Sequence, residues 1–151
     1  MARSNVEVIE TWFLDMWNND KPELMPELYA EDGVAHGLGE RDATVTGPKD
    51  YLPFYQLFRT AFPDIHFTIL DHVVDGHKIA TRWRATATHA GDFLGNPATG
   101  KPVELSGLVI AYIRDGKIGD CWNTWDSKGL LEQLDIDTRS KLIDRTEAAT
   151  S

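Results

Sequence analysis

Up to Pro63 the apolar residues of this chain keep a helical spacing, and after it they alternate; few folds accommodate that order. Val6, Ile9, Trp12, Phe13, Met16 and Trp17 share one helical face, with Glu7, Glu10, Thr11 and Asp15 between them and Ser4 or Asn5 as the cap. A short second helix is expected from Pro22 to about Tyr29. Val34 to Leu38 reads as a short strand. Gly47-Pro48 opens a third helix with its stripe at Tyr51, Leu52, Tyr55, Leu57, Phe58 and Phe62, and Pro63 stops it. From Ile65 the period is that of a half-buried strand. Strands are expected over Ile65–Val74, Lys78–His89, Val103–Ile113 and Lys117–Asp126, with hairpin turns at Asp75-Gly76 and Asp115-Gly116. A Gly/Pro-rich loop from Gly91 to Pro102 separates the middle pair, and a helix from Lys128 to Leu134 closes the domain.

Helices first and a strand meander afterwards predict an α+β fold, with helices on one face of a curved antiparallel sheet. Helices laid over the concave face enclose a pocket, the usual place for a small molecule. Residues 1–136 are read as one domain and 137–151 as a frayed tail.

Several function classes are excluded at this point. Net charge is −9 with the basic residues scattered, so the basic footprint of a nucleic-acid binder is missing. No stretch approaches eighteen apolar residues, so no membrane span is expected. The one cysteine, Cys121, cannot make an internal disulfide, and the N-terminus lacks a signal peptide's apolar core; a cytoplasmic protein is expected. No spacing fits a metal, a phosphate loop or a dinucleotide, so no metal or cofactor is expected.

The motifs Tyr29-Ala-Glu-Asp, Gly47-Pro48, Ala61-Phe-Pro-Asp64 and His89-Ala-Gly-Asp-Phe-Leu-Gly-Asn-Pro-Ala-Thr-Gly100 occur in order along the chain. Ile113-Arg-Asp-Gly-Lys-Ile118 and Trp125-Asp-Ser-Lys-Gly-Leu-Leu-Glu-Gln-Leu134 follow. Singly each is common. As an ordered set over about residues 5 to 135 they resemble the SnoaL-like polyketide cyclase, or ester cyclase, branch of the nuclear transport factor 2-like superfamily. The resemblance implies a conical α+β barrel, a homodimer packed sheet to sheet, and a hydrophobic polyketide-like or ester substrate. It also implies cofactor-independent acid/base chemistry such as aldol-type cyclisation. In the cyclases a pocket Asp on the last strand moves the proton. Counting from Asp115-Gly-Lys117, that position is Asn123, and the pocket His of the preceding strand falls on Val109. Asn has no titratable group, so it cannot take a proton as a carboxylate would.

Alternation puts Cys121, Asn123 and Trp125 on one face of the last strand, beside Gly107, Val109 and Ala111. Asn123 either steadies a developing enolate oxygen or satisfies backbone at a strand end. Trp125, Val109 and Cys121 are expected as pocket wall, with Trp17 and Phe58 from the helical stripes. His36 shares a face with Val34 and is either the general base at the pocket mouth or a histidine bonded at a strand edge. His89 either reaches substrate or pins the Gly/Pro loop. Asp126 either caps the last helix or replaces the missing carboxylate. His66 and His72 are expected together on the outer face of their strand. Arg82 and Arg84 either pair with acidic groups outside or face the pocket. The second arrangement would serve an epoxide hydrolase or hydratase, and a non-catalytic small-molecule-binding dimer is the third reading.

Overall fold

The helical face of the N-terminus is fixed at its start by a reciprocal cap. Glu7 N donates to Ser4 Oγ (3.2 Å) and Ser4 N to Glu7 Oε1 (2.9 Å), which opens α1, Asn5–Thr11. The helix continues as a π-type segment through Trp12–Trp17, which turns Trp12, Phe13, Met16 and Trp17 inward together. The expected second helix is a 3-10 turn, Pro22–Leu24, leading into α2, Met25–Leu28. β1 is Val34–His36 and β2 is Thr44–Thr46. β2 has no counterpart among the expected strands. α3 spans Gly47–Ala61. Then come β3 (His66–Asp75), β4 (Lys78–Thr88), β5 (Pro102–Arg114), β6 (Lys117–Trp125) and α4 (Ser127–Gln133). The computed structural model describes residues 2–39 and 43–136; the tail expected over 137–151 lies outside the described residues. No helix among them is long and apolar enough to cross a membrane.

The six strands form one sheet in the order β2-β1-β6-β5-β4-β3. It is not wholly antiparallel as expected. β1 runs parallel to β6, with Ala35 opposite Cys121 and His36 opposite Trp122. The cause is topological. The chain leaves the helices and lays β1 on the free edge of β6, a pairing that needs no tight turn. The other four pairings are antiparallel.

On the concave face Ile79, Thr81, Trp83, Ala85 and Ala87 of β4 are buried beside Val103, Leu105, Val109, Ala111 and Ile113 of β5. Register aligns them in rows, such as Trp83–Gly107–Trp125 and Thr81–Val109–Asn123. The helices press an aromatic layer onto these rows, with Phe13 5.3 Å from Phe67 and Trp17 5.2 Å from Phe67 between ring centroids.

The loop after β4 is not a loose flap. Ala90 N and Gly91 N both donate to Ala61 O (3.0 and 3.1 Å), and Phe93 is fully buried between Phe58 and Phe62. The buried aromatic ties this loop to the C-terminal end of α3.

One expected face is corrected by a bulge in β3. The β3–β4 register shifts between Ile69 and Asp71, so the alternation flips. His66 stays exposed, whereas His72 turns inward opposite Thr81 and its Nδ1 lies 2.9 Å from Thr81 Oγ1. The free edge of β3 is itself capped at one point. Asn18 Nδ2 donates to Phe67 O (3.0 Å), and Phe67 N donates to Asn18 Oδ1 (2.7 Å).

Candidate functional site

Between the aromatic layer and the concave face lies a cavity of about 80 Å³. Its floor is Trp83, Leu105, Val109 and Ala111, its sides include Trp12, Trp17, Tyr51 and Phe58, and β6 contributes Ile118, Cys121, Asn123 and Trp125. Pockets for drug-sized ligands hold roughly 300–1,000 Å³, so a multi-ring ligand has to turn some of these walls aside. Phe54 and Trp125 are the half-buried aromatics among them.

The residues expected on the inner face of β6 are there. Cys121, Asn123 and Trp125 line the cavity with Val109, Trp17 and Phe58. Trp125 Nε1 donates to Leu38 O (2.9 Å), which fixes the indole against the chain leaving β1. Asn123 Nδ2 donates to His36 O (3.1 Å) and lies 3.6 Å from Cys121 Sγ. Because a carbonyl oxygen only accepts, that bond sets which end of the amide is nitrogen, and Oδ1 is left without a partner among the described residues. Cys121 is a buried thiol. Burial pushes its pKa up to about 11, with the Asn123 hydrogen bond pulling the other way, so it stays protonated near neutrality.

The other expected site residues lie elsewhere. His36 is not in the cavity. It is the inner neighbour Ala35 that lines it, and His36 stacks on Trp122 on the outer face, with centroids 5.1 Å apart and planes 7° from parallel. The reason is the parallel pairing of β1, which puts His36 beside the outward Trp122. His89 is fully buried behind the cavity. Its Nδ1 accepts from Thr99 N (3.3 Å) and lies 2.9 Å from Thr99 Oγ1, while Gly100 N donates to its carbonyl oxygen (2.8 Å). It pins the loop. Asp126 is exposed at the start of α4, where its Oδ1 accepts from Gly129 N (2.9 Å), so it caps the helix and does not stand in for the missing carboxylate.

Arg82 and Arg84 are outside as well. Arg82 Nη2 sits 3.1 Å from Asp71 Oδ2 and Arg84 Nε 3.6 Å from Glu104 Oε1, both pairs in solvent. A hydrolase needs an Arg and a carboxylate facing one another in the cavity, and neither Arg is there. The epoxide-hydrolase or hydratase reading is thereby overturned.

Two tyrosines in the lining carry no polar signal in the sequence, because aromatic residues within an apolar helical stripe read as core. Tyr29 is spoken for, its hydroxyl lying 2.9 Å from both Gly33 O and Val45 O. Tyr51, from α3, is not. Its ring is held edge-on by Trp12 at 5.0 Å, and the hydroxyl hydrogen has no acceptor among the described residues. Among the described lining residues there is no carboxylate and no imidazole.

Comparison with known proteins agrees with this architecture. The family model described as SnoaL-like polyketide cyclase matches residues 7–134. Aklanonic acid methyl ester cyclase DauD of Streptomyces sp. (strain C5) is 23% identical over 122 residues, covering 80% of this chain and 76% of that protein. The structure of IdmH from Streptomyces antibioticus, a candidate polyketide cyclase, superposes with a TM-score of 0.77 at 30% identity, over 89% of this chain and 100% of that one. A candidate SnoaL-like polyketide cyclase from Jannaschia sp. CCS1 gives 0.76 at 19% identity, over 88% of this chain and 96% of that one, a likeness of fold alone.

Proposed function

Since the chain belongs to the SnoaL-like polyketide cyclase family, we propose that it is a cofactor-independent cyclase-type enzyme that folds a hydrophobic polyketide-like or ester substrate against Asn123. The observation that carries this reading is the unpartnered Asn123 Oδ1 in a mostly apolar cavity. Both N–H directions of Asn123 are taken up by His36 O and Cys121 Sγ. Of the two roles weighed for Asn123, its Nδ2 takes the backbone one at His36 O, so the amide accepts from the substrate and does not donate to an enolate. A substrate O–H, as in the enol of a 1,3-dicarbonyl, meets that oxygen.

The cyclisation that fits needs no protein base. The enol C=C π electrons form the new bond to the acceptor carbonyl carbon as its C=O π bond opens, the enol O–H bond breaks to leave a ketone, and that proton passes to the new alkoxide oxygen. The product has the mass of the substrate. Burying the reacting groups among aromatic walls excludes water and holds the two carbons in attack geometry. The test is to incubate the protein with a linear, aryl-bearing β-keto ester that carries a further ketone along its chain as the acceptor, and follow the ring-closed isomer by chromatography and mass spectrometry. Accelerated closure at unchanged mass supports the reading. A second reading, a non-catalytic carrier, draws on the lack of a carboxylate or imidazole in the described lining, and tight binding without closure would replace the first by it.

The outer face favours a homodimer. Val73, Ala80, Ile110, Trp122 and His36 lie in one row across five strands, with Leu108 beside Ile110 on β5. Val73 is 70% exposed, and Ile110 and Trp122 are 46% and 43% exposed in the lone chain. So large an apolar row is better covered than wet. Ile110→Asp would place a charge in the middle of it. Sedimentation is expected to give twice the chain mass for the parent protein and the single chain mass for the variant.

A further inference from the structure

We propose that Tyr51 is a second catalytic residue of this cavity, donating its O–H to the substrate carbonyl oxygen that becomes the alkoxide during ring closure. The inference rests on the cyclase reading and adds the donor that reading lacks. Asn123 can only accept, so the oxygen on which negative charge develops needs a hydrogen-bond donor from another element. Besides the indoles of Trp12, Trp17 and Trp83, the described lining offers four side-chain donors, Tyr29, Trp125, Cys121 and Tyr51. Tyr29 O–H is directed at two backbone carbonyl oxygens, and Trp125 Nε1–H at Leu38 O. The Cys121 thiol is a weak donor. Tyr51 O–H lines the cavity and has no acceptor among the described residues.

The ring is also well held. Besides Trp12 it packs against Phe54 at 5.4 Å, Tyr29 at 6.0 Å and Trp17 at 6.5 Å between centroids, so the hydroxyl is presented from a fixed position on α3. Burial keeps the phenol protonated far above neutrality; the Trp17 indole N–H beside its oxygen works in the opposite direction but is the smaller cause. A neutral, preorganised donor in an apolar cavity is the arrangement that stabilises a developing oxyanion. Tyr51 and Asn123 then form a complementary pair in one cavity, one donor and one acceptor. A substrate carrying both a C=O and an O–H satisfies both.

The test separates this inference from the cyclase reading by using two ligands that cannot react. 2-Acetylnaphthalene and 2-isopropenylnaphthalene have the same shape and differ by a carbonyl against a methylidene group. Trp12, Trp17, Trp83 and Trp125 line the cavity, so binding is read by quenching of tryptophan fluorescence. The parent protein is expected to prefer the ketone about tenfold or more, the worth of one buried hydrogen bond. Tyr51→Phe is expected to erase that preference while binding the hydrocarbon unchanged, and Asn123→Ala to keep it. In turnover Tyr51→Phe is expected to lower kcat about a hundredfold with little change in KM. A parent protein that does not discriminate, or a Tyr51→Phe variant that still does, overturns the role of Tyr51. Intact discrimination with no ring closure by the parent protein overturns the cyclase reading, and the catalytic role of Tyr51 with it, leaving a ligand-binding contact.

Discussion

Asn123→Ala is expected to slow ring closure about a hundredfold while the protein still folds. The loss of one preorganised polar contact to reacting atoms costs 10²–10³ in rate in well-studied enzymes. The accompanying loss to stability is that of the Asn123–His36 hydrogen bond between β6 and β1, about 1 kcal/mol. Asn123→Asp makes a sharper comparison. It restores the carboxyl group the family resemblance expects, but places it beside His36 O, an acceptor it cannot bond when ionised. Burial and that oxygen together raise its pKa above the ordinary carboxylate value. With the folded pKa above the unfolded one, the variant loses stability as pH rises from about 4 through the folded pKa. Its rate should climb over the same interval as the carboxylate becomes available as a base. The parent protein should show no such limb. Its described cavity lining contains no carboxylate or imidazole, and the Cys121 thiol titrates only at about 11. Rates measured from pH 5 to 9 on both proteins check this pair of expectations.

Gly37→Ala is expected to be among the most destabilising single changes in the chain, at about 3–4 kcal/mol by denaturant melting. Gly37 follows β1 with φ +80°, a conformation that costs other L-residues about 1–2 kcal/mol. A Cβ there would also be driven into the Asn123 carbonyl oxygen and would lever the end of β1 away from β6. Backbone on both sides leaves no flexible side chain to yield. Gly116 is the control. It sits in the β5–β6 turn with φ +75° and open space where a Cβ would be. Gly116→Ala should therefore cost only the conformational part, about 1 kcal/mol. Equal losses at the two positions would show that backbone conformation alone governs both. The site depends on this packing, because the carbonyl that orients the Asn123 amide belongs to His36, the residue before Gly37.

The change of apolar period at Pro63 made the fold legible. Long strands joined by Asp-Gly turns leave little freedom of register, and counting onward from Asp115-Gly116 places Cys121, Asn123 and Trp125 on the cavity side. His36 was harder because a three-residue strand carries no alternation long enough to define a face. Which of Ala35 and His36 points inward depended on a parallel pairing with β6 that local sequence does not encode. β2 escaped notice for a similar reason: Thr44-Val-Thr46 is short and runs straight into Gly47-Pro48. For His72 strict alternation predicts the outer face, and one extra residue at a bulge inverts everything after it. Tyr51 was overlooked as chemistry because its hydroxyl is a small part of a ring that packs like a phenylalanine.

The most direct test of the site is a crystal structure of the complex with 2-naphthol, an aromatic ligand whose single O–H can only seek an acceptor. The expected result has the rings among Trp17, Phe58 and Trp125 and the hydroxyl about 3 Å from Asn123 Oδ1. A ligand bound instead in the open groove between the first helix and β3, beside Leu14, Asn18 and His66, would contradict it. So would a ligand in the cavity with its hydroxyl turned away and Asn123 Oδ1 left unengaged.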